Sequence, residues 1–217
     1  GVSTGVDAGR LITTMSMVDK NLVVRQGGLL AVEALLTTRS TMYSTVYFHP
    51  FVRGAELMLA RAADSAMSLN KFTSLEFTTF TDHQFLSELN RAGGFSQKTV
   101  KDFENRRIVK HAVSITKDQA EASGLNRSSK EEYENSIAAK LGLNASDIYV
   151  DLPPLSVVPG LTVKILKDND EVVLARNLSR LVSGLYEAQF DHWRGRVYGP
   201  SGIRDELSSE SSKVLGL

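Results

Sequence analysis

Between Leu29 and Val46 the chain keeps a helical period without interruption. Leu29, Val32, Leu36, Arg39, Tyr43 and Val46 follow one another at steps of three and four. Gln26-Gly27-Gly28 breaks the backbone just before this run. Pro50, which has no amide proton, stops its hydrogen-bond ladder just after His49 and lets a new helix begin. The new stripe holds Phe51, Ala55, Met58, Leu59, Ala62 and Ala66. Two long helices joined so tightly predict an angled pair at the head of a mostly helical chain.

Along the first helix Arg39, Tyr43 and Tyr47 recur every fourth residue, flanked by Leu35, Leu36, Met42 and Val46. In an α-helix each step of four drifts about 40° around the axis, so all three share one stripe. Arginine suits phosphate because its planar fork gives two parallel charge-assisted hydrogen bonds. A tyrosine one turn away can lie along a sugar or base while its hydroxyl finds a polar partner. Spacing alone leaves a second reading open, and favours it. Arg39 could pair with a carboxylate such as Glu33 while the tyrosines fill a helix interface, and His49 could cap or fill the junction before Pro50.

Before the long helix, Asp7 caps a short helix with Leu11, Ile12 and Met15 on its apolar side. Met17–Arg25 reads as a hairpin turning at Asp19-Lys20-Asn21. Beyond the pair, Thr81 with Gln84 is a capping-box signature, Gly93-Gly94 ends that helix, and Ser96 is expected to cap another through Val100, Phe103 and Ile108. Past residue 110 the texture changes. HAVSI, Ile148–Leu152, Leu161–Leu166 and Glu171–Leu174 read as strands, the last two as a hairpin over residues 167–170. Lys117–Arg127 is expected to be a loop or a poorly formed helix, and Ser129 to cap a helix ended by Gly142. A helix from about Asn177 to Phe190, a strand near Arg196–Tyr198 and a final helix from Ser201 complete the reading. The expected fold is therefore a mostly α part over 1–110 and an α+β part over 111–217.

Composition removes several kinds of chemistry. Twenty-five basic residues balance twenty-five acidic ones, so no global field attracts nucleic acid or a membrane. With no cysteine there are no disulfides, thiolate nucleophiles or cysteine-held metals, which suits a reducing cytoplasm. No apolar run reaches the length of a membrane span, and the N-terminus lacks a signal-peptide pattern. His49, His83, His111 and His192 are scattered without metal-ligand spacing, and no HExxH, Walker loop or GxGxxG is present. Residues 1–5 match G-x-S-x-G literally, but no strand precedes Ser3 to build a nucleophile elbow. Arg176, Arg180, Arg194, Arg196 and Arg204 could bind an anion, with a solvated face as the simpler reading.

The ordered string Glu33, Arg39, Tyr43, Tyr47, His49, followed by RGAELML, resembles the helix pair of HD-domain phosphohydrolases. The likeness is greatest to their deoxynucleoside triphosphate triphosphohydrolase branch, including the animal enzyme that joins a sterile-alpha-motif to an HD domain. GVDAGRLI resembles the segment after that family's last metal-ligand aspartate, and FTDHQFLSEL, NRRIVK, DIYVDLPPL and RGRVYGP resemble its later elements. The resemblance implies an HD-domain-like helical part in which Arg39 contacts substrate phosphate. Tyr43 would stand where another member has a phosphate-facing histidine, Tyr47 would lie against deoxyribose, and His49 would support from behind. It also implies a nucleotide substrate, a homo-oligomer and a divalent metal in the parent protein. Pro50 departs from the family, where a lysine commonly follows that histidine, which puts regulation by an activating nucleotide in doubt. No His-Asp dipeptide occurs in this chain, so the metal ligands would lie upstream of Gly1 and these residues alone should be inactive. The alternative is a non-catalytic nucleotide-binding or oligomerisation module.

Overall fold

The computed structural model describes residues 5–154, 162–191 and 193–217. Ser3, Leu161 and His192 lie outside them. The described chain is mostly helical, with two small sheets, and it divides into two compact units. One comprises Gly1–Phe48 with Pro154–Trp193, the other His49–Pro153 with Arg194–Leu217, so each draws on both sides of residue 110. No helix among the described residues is long and apolar enough to cross a membrane.

In the first unit Asp7 caps the Ala8–Thr14 helix by accepting from the Arg10 amide at 2.8 Å. Of the apolar side expected there, Leu11 is buried but Ile12 is exposed, because the helix ends at Thr14 and Met15 already starts a strand. That strand, Met15–Val18, pairs antiparallel with Asn21–Arg25 through a turn whose Asp19 and Lys20 both have positive φ. This is the conformation that matches a tight hairpin to strand twist. The second hairpin, Lys164–Leu166 with Val172–Leu174, adds to it by a parallel pairing of Val24 with Ile165, giving four strands. Helix Leu29–Met42 buries Ala31, Val32 and Leu36 against Leu11, Val24, Ile165, Ala175 and Val182. Gly28 sits in front of it where a Cβ would lie 2.2 Å from Thr14 Oγ1 and 2.6 Å from Val24 Cγ1, so no side chain fits. The helix expected from Asn177 to Phe190 is two helices, Ala175–Leu178 and Arg180–Asp191. Between them Ser179 is extended, and its hydroxyl accepts from the Val182 amide at 3.1 Å.

The second unit is built on helix Pro50–Ser68. Its Ala62, Ala63 and Ala66 let the helices Asp82–Ala92 and Gly94–Glu104 approach with Leu89 and Val100. The expected capping box of Thr81 and Gln84 is present. Ser96 is not a cap. Gly93 and Gly94, both at positive φ, start the helix earlier, and Ser96 is buried inside it, donating to the Ala62 carbonyl at 2.8 Å. Thr116 and Gln119 form a further capping box that turns Lys117–Ala122 into a regular helix.

A three-stranded antiparallel sheet has Gly195–Gly199 at its centre, buried throughout, between Lys110–Ile115 and Tyr149–Asp151. Strand alternation sorts its side chains. Tyr149 and Tyr198 pack with Met58 and Ile108, toward helix Pro50–Ser68. On the opposite face a Cβ at Gly199 would lie 2.6 Å from Leu207 of helix Arg204–Leu215.

Candidate functional site

The helix Leu29–Met42 does not stop at its C-terminus but widens into a π-helical turn, Tyr43–Tyr47, closed by the Phe48 amide on the Tyr43 carbonyl at 2.8 Å. The local cause is a run of hydroxyls. Thr37, Thr41 and Thr45 each donate to the carbonyl four residues earlier, and Ser44 also donates to Thr41 O. Such back-bonding loosens the ladder and bends helices. A wider turn removes the drift that an α-helix would impose between residues four apart. The rings of Tyr43 and Tyr47 accordingly approach to 4.8 Å between centroids. Arg39 extends over Tyr43, with Cζ 4.9 Å from the ring centroid, and donates from Nη2 to Tyr43 Oη at 3.1 Å. Phe48 closes the back of Tyr43 at 5.6 Å.

These three predicted residues are therefore brought together. With Leu35, Leu36, Thr38, Met42 and Val163 they line a cavity of about 490 Å³. Its floor is apolar and its polar side chains are one guanidinium, two phenols and the Thr38 hydroxyl. Arg39 and Tyr43 are half-buried, while Tyr47 is 46% exposed and free to meet a ligand face. A site of this make-up can hold an anionic oxygen at the guanidinium and a flat or ring-shaped group along the tyrosines.

His49 has a different part. It is the N-cap of helix Pro50–Ser68, where its Nδ1 accepts from the Phe51 amide at 3.2 Å and Pro50 occupies the first turn. The imidazole replaces the hydroxyl or carboxylate more usual at that position. Phe51, expected on the buried face, is 43% exposed, with Lys110 Nζ 5.6 Å from its ring centroid. Among the described residues no three His, Asp or Glu side chains converge to hold a metal, so the residues present do not fit one.

Sequence reasoning assigned no part to the buried ion pairs of the second unit. Arg53 grips Asp151 with both ends of its fork, Nε to Oδ2 at 3.0 Å and Nη2 to Oδ1 at 2.8 Å, and also meets Glu56 at 2.6 Å. Arg61 donates to the carbonyls of Ala145, Ser146 and Ile148, pairs with Glu134 at 2.7 Å and lies 3.8 Å from the Tyr149 ring centroid. Glu134 in turn accepts from the Val150 amide. Burial pushes the Tyr149 phenol up to about 12, against the pull of the Arg61 charge. These contacts span up to 98 residues of sequence and leave no local signal. Arg196, for which a solvated face was the simpler reading, is 9% exposed.

Comparison with known proteins places these observations. The HD associated region family matches residues 6–217. An uncharacterized protein of Methanocaldococcus jannaschii is 22% identical over 216 residues, covering 94% of this chain and 45% of that protein. An uncharacterized protein of Bacillus subtilis is 37% identical over 71 residues, covering 32% of this chain and 16% of that protein. Among solved structures, a hypothetical protein of Aquifex aeolicus matches with a TM-score of 0.64 at 23% identity, over 94% of this chain and 51% of that one. A phosphohydrolase of Bacteroides thetaiotaomicron matches with a TM-score of 0.55 at 18% identity, over 88% and 55%. The fold is shared with both structures. The chain spans about half, or less, of each of these proteins.

Proposed function

This chain belongs to the HD associated region family, and on that premise we propose that it is part of a metal-dependent nucleotide phosphohydrolase that releases triphosphate from deoxynucleoside triphosphates. Its contribution is one wall of the active site, made by Arg39, Tyr43 and Tyr47. The observation that carries this reading is Arg39 laid over Tyr43 with the tilted ring of Tyr47 beside it, all three lining one cavity.

Each residue has a role that follows from its chemistry. The Arg39 guanidinium takes phosphate oxygens through charge-assisted hydrogen bonds, which strengthen as negative charge builds on the leaving triphosphate. Tyr43 orients that guanidinium through its hydroxyl and its ring face. Tyr47 offers an exposed ring against the sugar, where a deoxyribose packs without leaving a 2′-hydroxyl unpaired. His49 fixes the start of the next helix as its N-cap. A bound divalent metal would activate water and neutralise phosphate charge, with ligands from outside these residues.

The parent protein, supplied with manganese or magnesium and a panel of ribo- and deoxynucleoside triphosphates, is expected to release deoxynucleoside and inorganic triphosphate. Nucleotide binding without metal-dependent turnover would overturn the enzymatic reading and assign a non-catalytic binding module instead.

A further inference from the structure

One polar side chain of the cavity in the first unit has no role in the reading above. Thr38 lines that cavity beside Arg39 and is half-buried. Thr37, Thr41 and Thr45 each donate their hydroxyl proton to the carbonyl four residues earlier. Thr38 does not follow them, and among the described residues its hydroxyl makes no such bond. Its neighbours on the cavity wall, Leu35 and Met42, are apolar and offer it no partner. A hydroxyl half-withdrawn from water in such a place gains from a polar group brought by a ligand.

Helix geometry fixes where Thr38 stands relative to the other groups. Leu29–Met42 is regular α-helix, and the Tyr43 amide still bonds to the Arg39 carbonyl. Around the axis Thr38 lies about 100° from Arg39, with Leu35 and Met42 between them at about 40° and 60°. Tyr43 lies about 40° from Arg39 in the opposite sense. The Tyr47 ring is beside that of Tyr43, 4.8 Å away between centroids. The guanidinium thus sits between a hydroxyl rim and a phenol rim of one cavity. A ligand whose phosphate meets Arg39 and whose sugar lies along Tyr47 has its sugar end at the phenol rim. Its remaining phosphates then leave Arg39 the other way, past Leu35 and Met42 toward Thr38. A hydroxyl there can donate to a phosphate oxygen, a charge-assisted bond that brings no further charge of its own.

We propose that Thr38 is a further substrate-binding residue of this site, whose hydroxyl donates to a terminal phosphate oxygen of the triphosphate that Arg39 holds. The inference rests on the reading of Arg39, Tyr43 and Tyr47 given above and extends it to the far end of the substrate. Thr38 thereby favours triphosphates over ligands that end at the sugar.

The test compares Thr38→Val, Thr38→Ser and Arg39→Ala in the parent protein with manganese and deoxynucleoside triphosphates. Valine keeps the shape and removes the hydroxyl, so kcat/KM should fall about tenfold. Serine keeps the hydroxyl and should restore most of the loss. Inhibition by the free deoxynucleoside, which carries no phosphate, should be the same in the valine variant as in the wild type. Equilibrium binding of a non-hydrolysable deoxynucleoside triphosphate makes the same comparison without turnover. Unchanged triphosphate kinetics and binding in Thr38→Val would overturn the proposal, as would a serine variant as weak as valine. Equal weakening of the deoxynucleoside would also overturn it, because the hydroxyl would then meet the sugar or base. A loss in Arg39→Ala alone refutes the Thr38 contact and leaves the reading of the site standing, whereas no loss in either variant refutes both. Thermal unfolding confirms that each variant is folded, and Thr38→Ala replaces valine if the latter disturbs the helix.

Discussion

The Arg53–Asp151 pair is the residue-level feature with the most stability at stake. Asp151 is nearly sealed, with 4% of its side chain exposed, and both of its oxygens are engaged by one fork. The carboxylate holds the Arg53 guanidinium still more firmly protonated. A buried pair need not stabilise relative to apolar residues, but breaking it strands a charge. Arg53 keeps a quarter of its side chain in solvent, so Asp151→Asn should cost about 2–4 kcal/mol, toward the lower part of the usual range. Denaturant unfolding of that variant measures it, and an unchanged midpoint would show that the pair is dispensable. Neither partner stands out in the sequence. Charged residues are common, and only the fold brings position 53 to position 151. The stripe of Arg39, Tyr43 and Tyr47 was legible for the opposite reason, because a four-residue spacing within one continuous helical run ties its members together.

At the scale of elements, the spacing that marked this stripe did not reveal how close its members come. The π-helical turn carries Tyr43 and Tyr47, whose tilted rings approach to 4.8 Å between centroids. A signal for it was present in the dense hydroxyls of TTRSTMYST, whose side chains compete for helix carbonyls. The capping box of Thr81 was read from Gln84, whereas the same pattern of Thr116 with Gln119 was passed over for a loop or a poorly formed helix. Ser96 was misread because the two glycines before it adopt positive φ and start the helix earlier than a serine cap would. The parallel join of the two hairpins was not legible, since it links strands about 140 residues apart with no periodic trace. Gly28 exposes the tightness of the packing at the start of helix Leu29–Met42. Gly28→Ala should lower stability by about 1–3 kcal/mol by forcing Thr14 and Val24 aside. Calorimetry of the variant checks this, and unaltered unfolding would mean that the first unit yields more easily than its contacts imply.

At the scale of the whole molecule, membership in the HD associated region family and the shared fold agree with the ordered motifs that run from Val6 to Pro200. Motif order was readable over the full length because each motif is a short contiguous stretch of sequence. The division into two interleaved units was not, because it depends on Pro154–Trp193 returning to the first hairpin. The chain spans 45% of its Methanocaldococcus relative. Nothing in it gathers a metal among the described residues. The proposed phosphate and sugar contacts therefore have to be tested in the parent protein.

That test is the steady-state kinetics of Arg39→Ala in the intact parent protein, with deoxynucleoside triphosphates and metal. Removing a charge-assisted phosphate contact is expected to lower kcat/KM by about 2 kcal/mol or more, roughly a thirtyfold loss, while thermal unfolding stays near that of the wild type. Unchanged kinetics in a folded Arg39→Ala protein would contradict the assignment of this stripe to substrate phosphate.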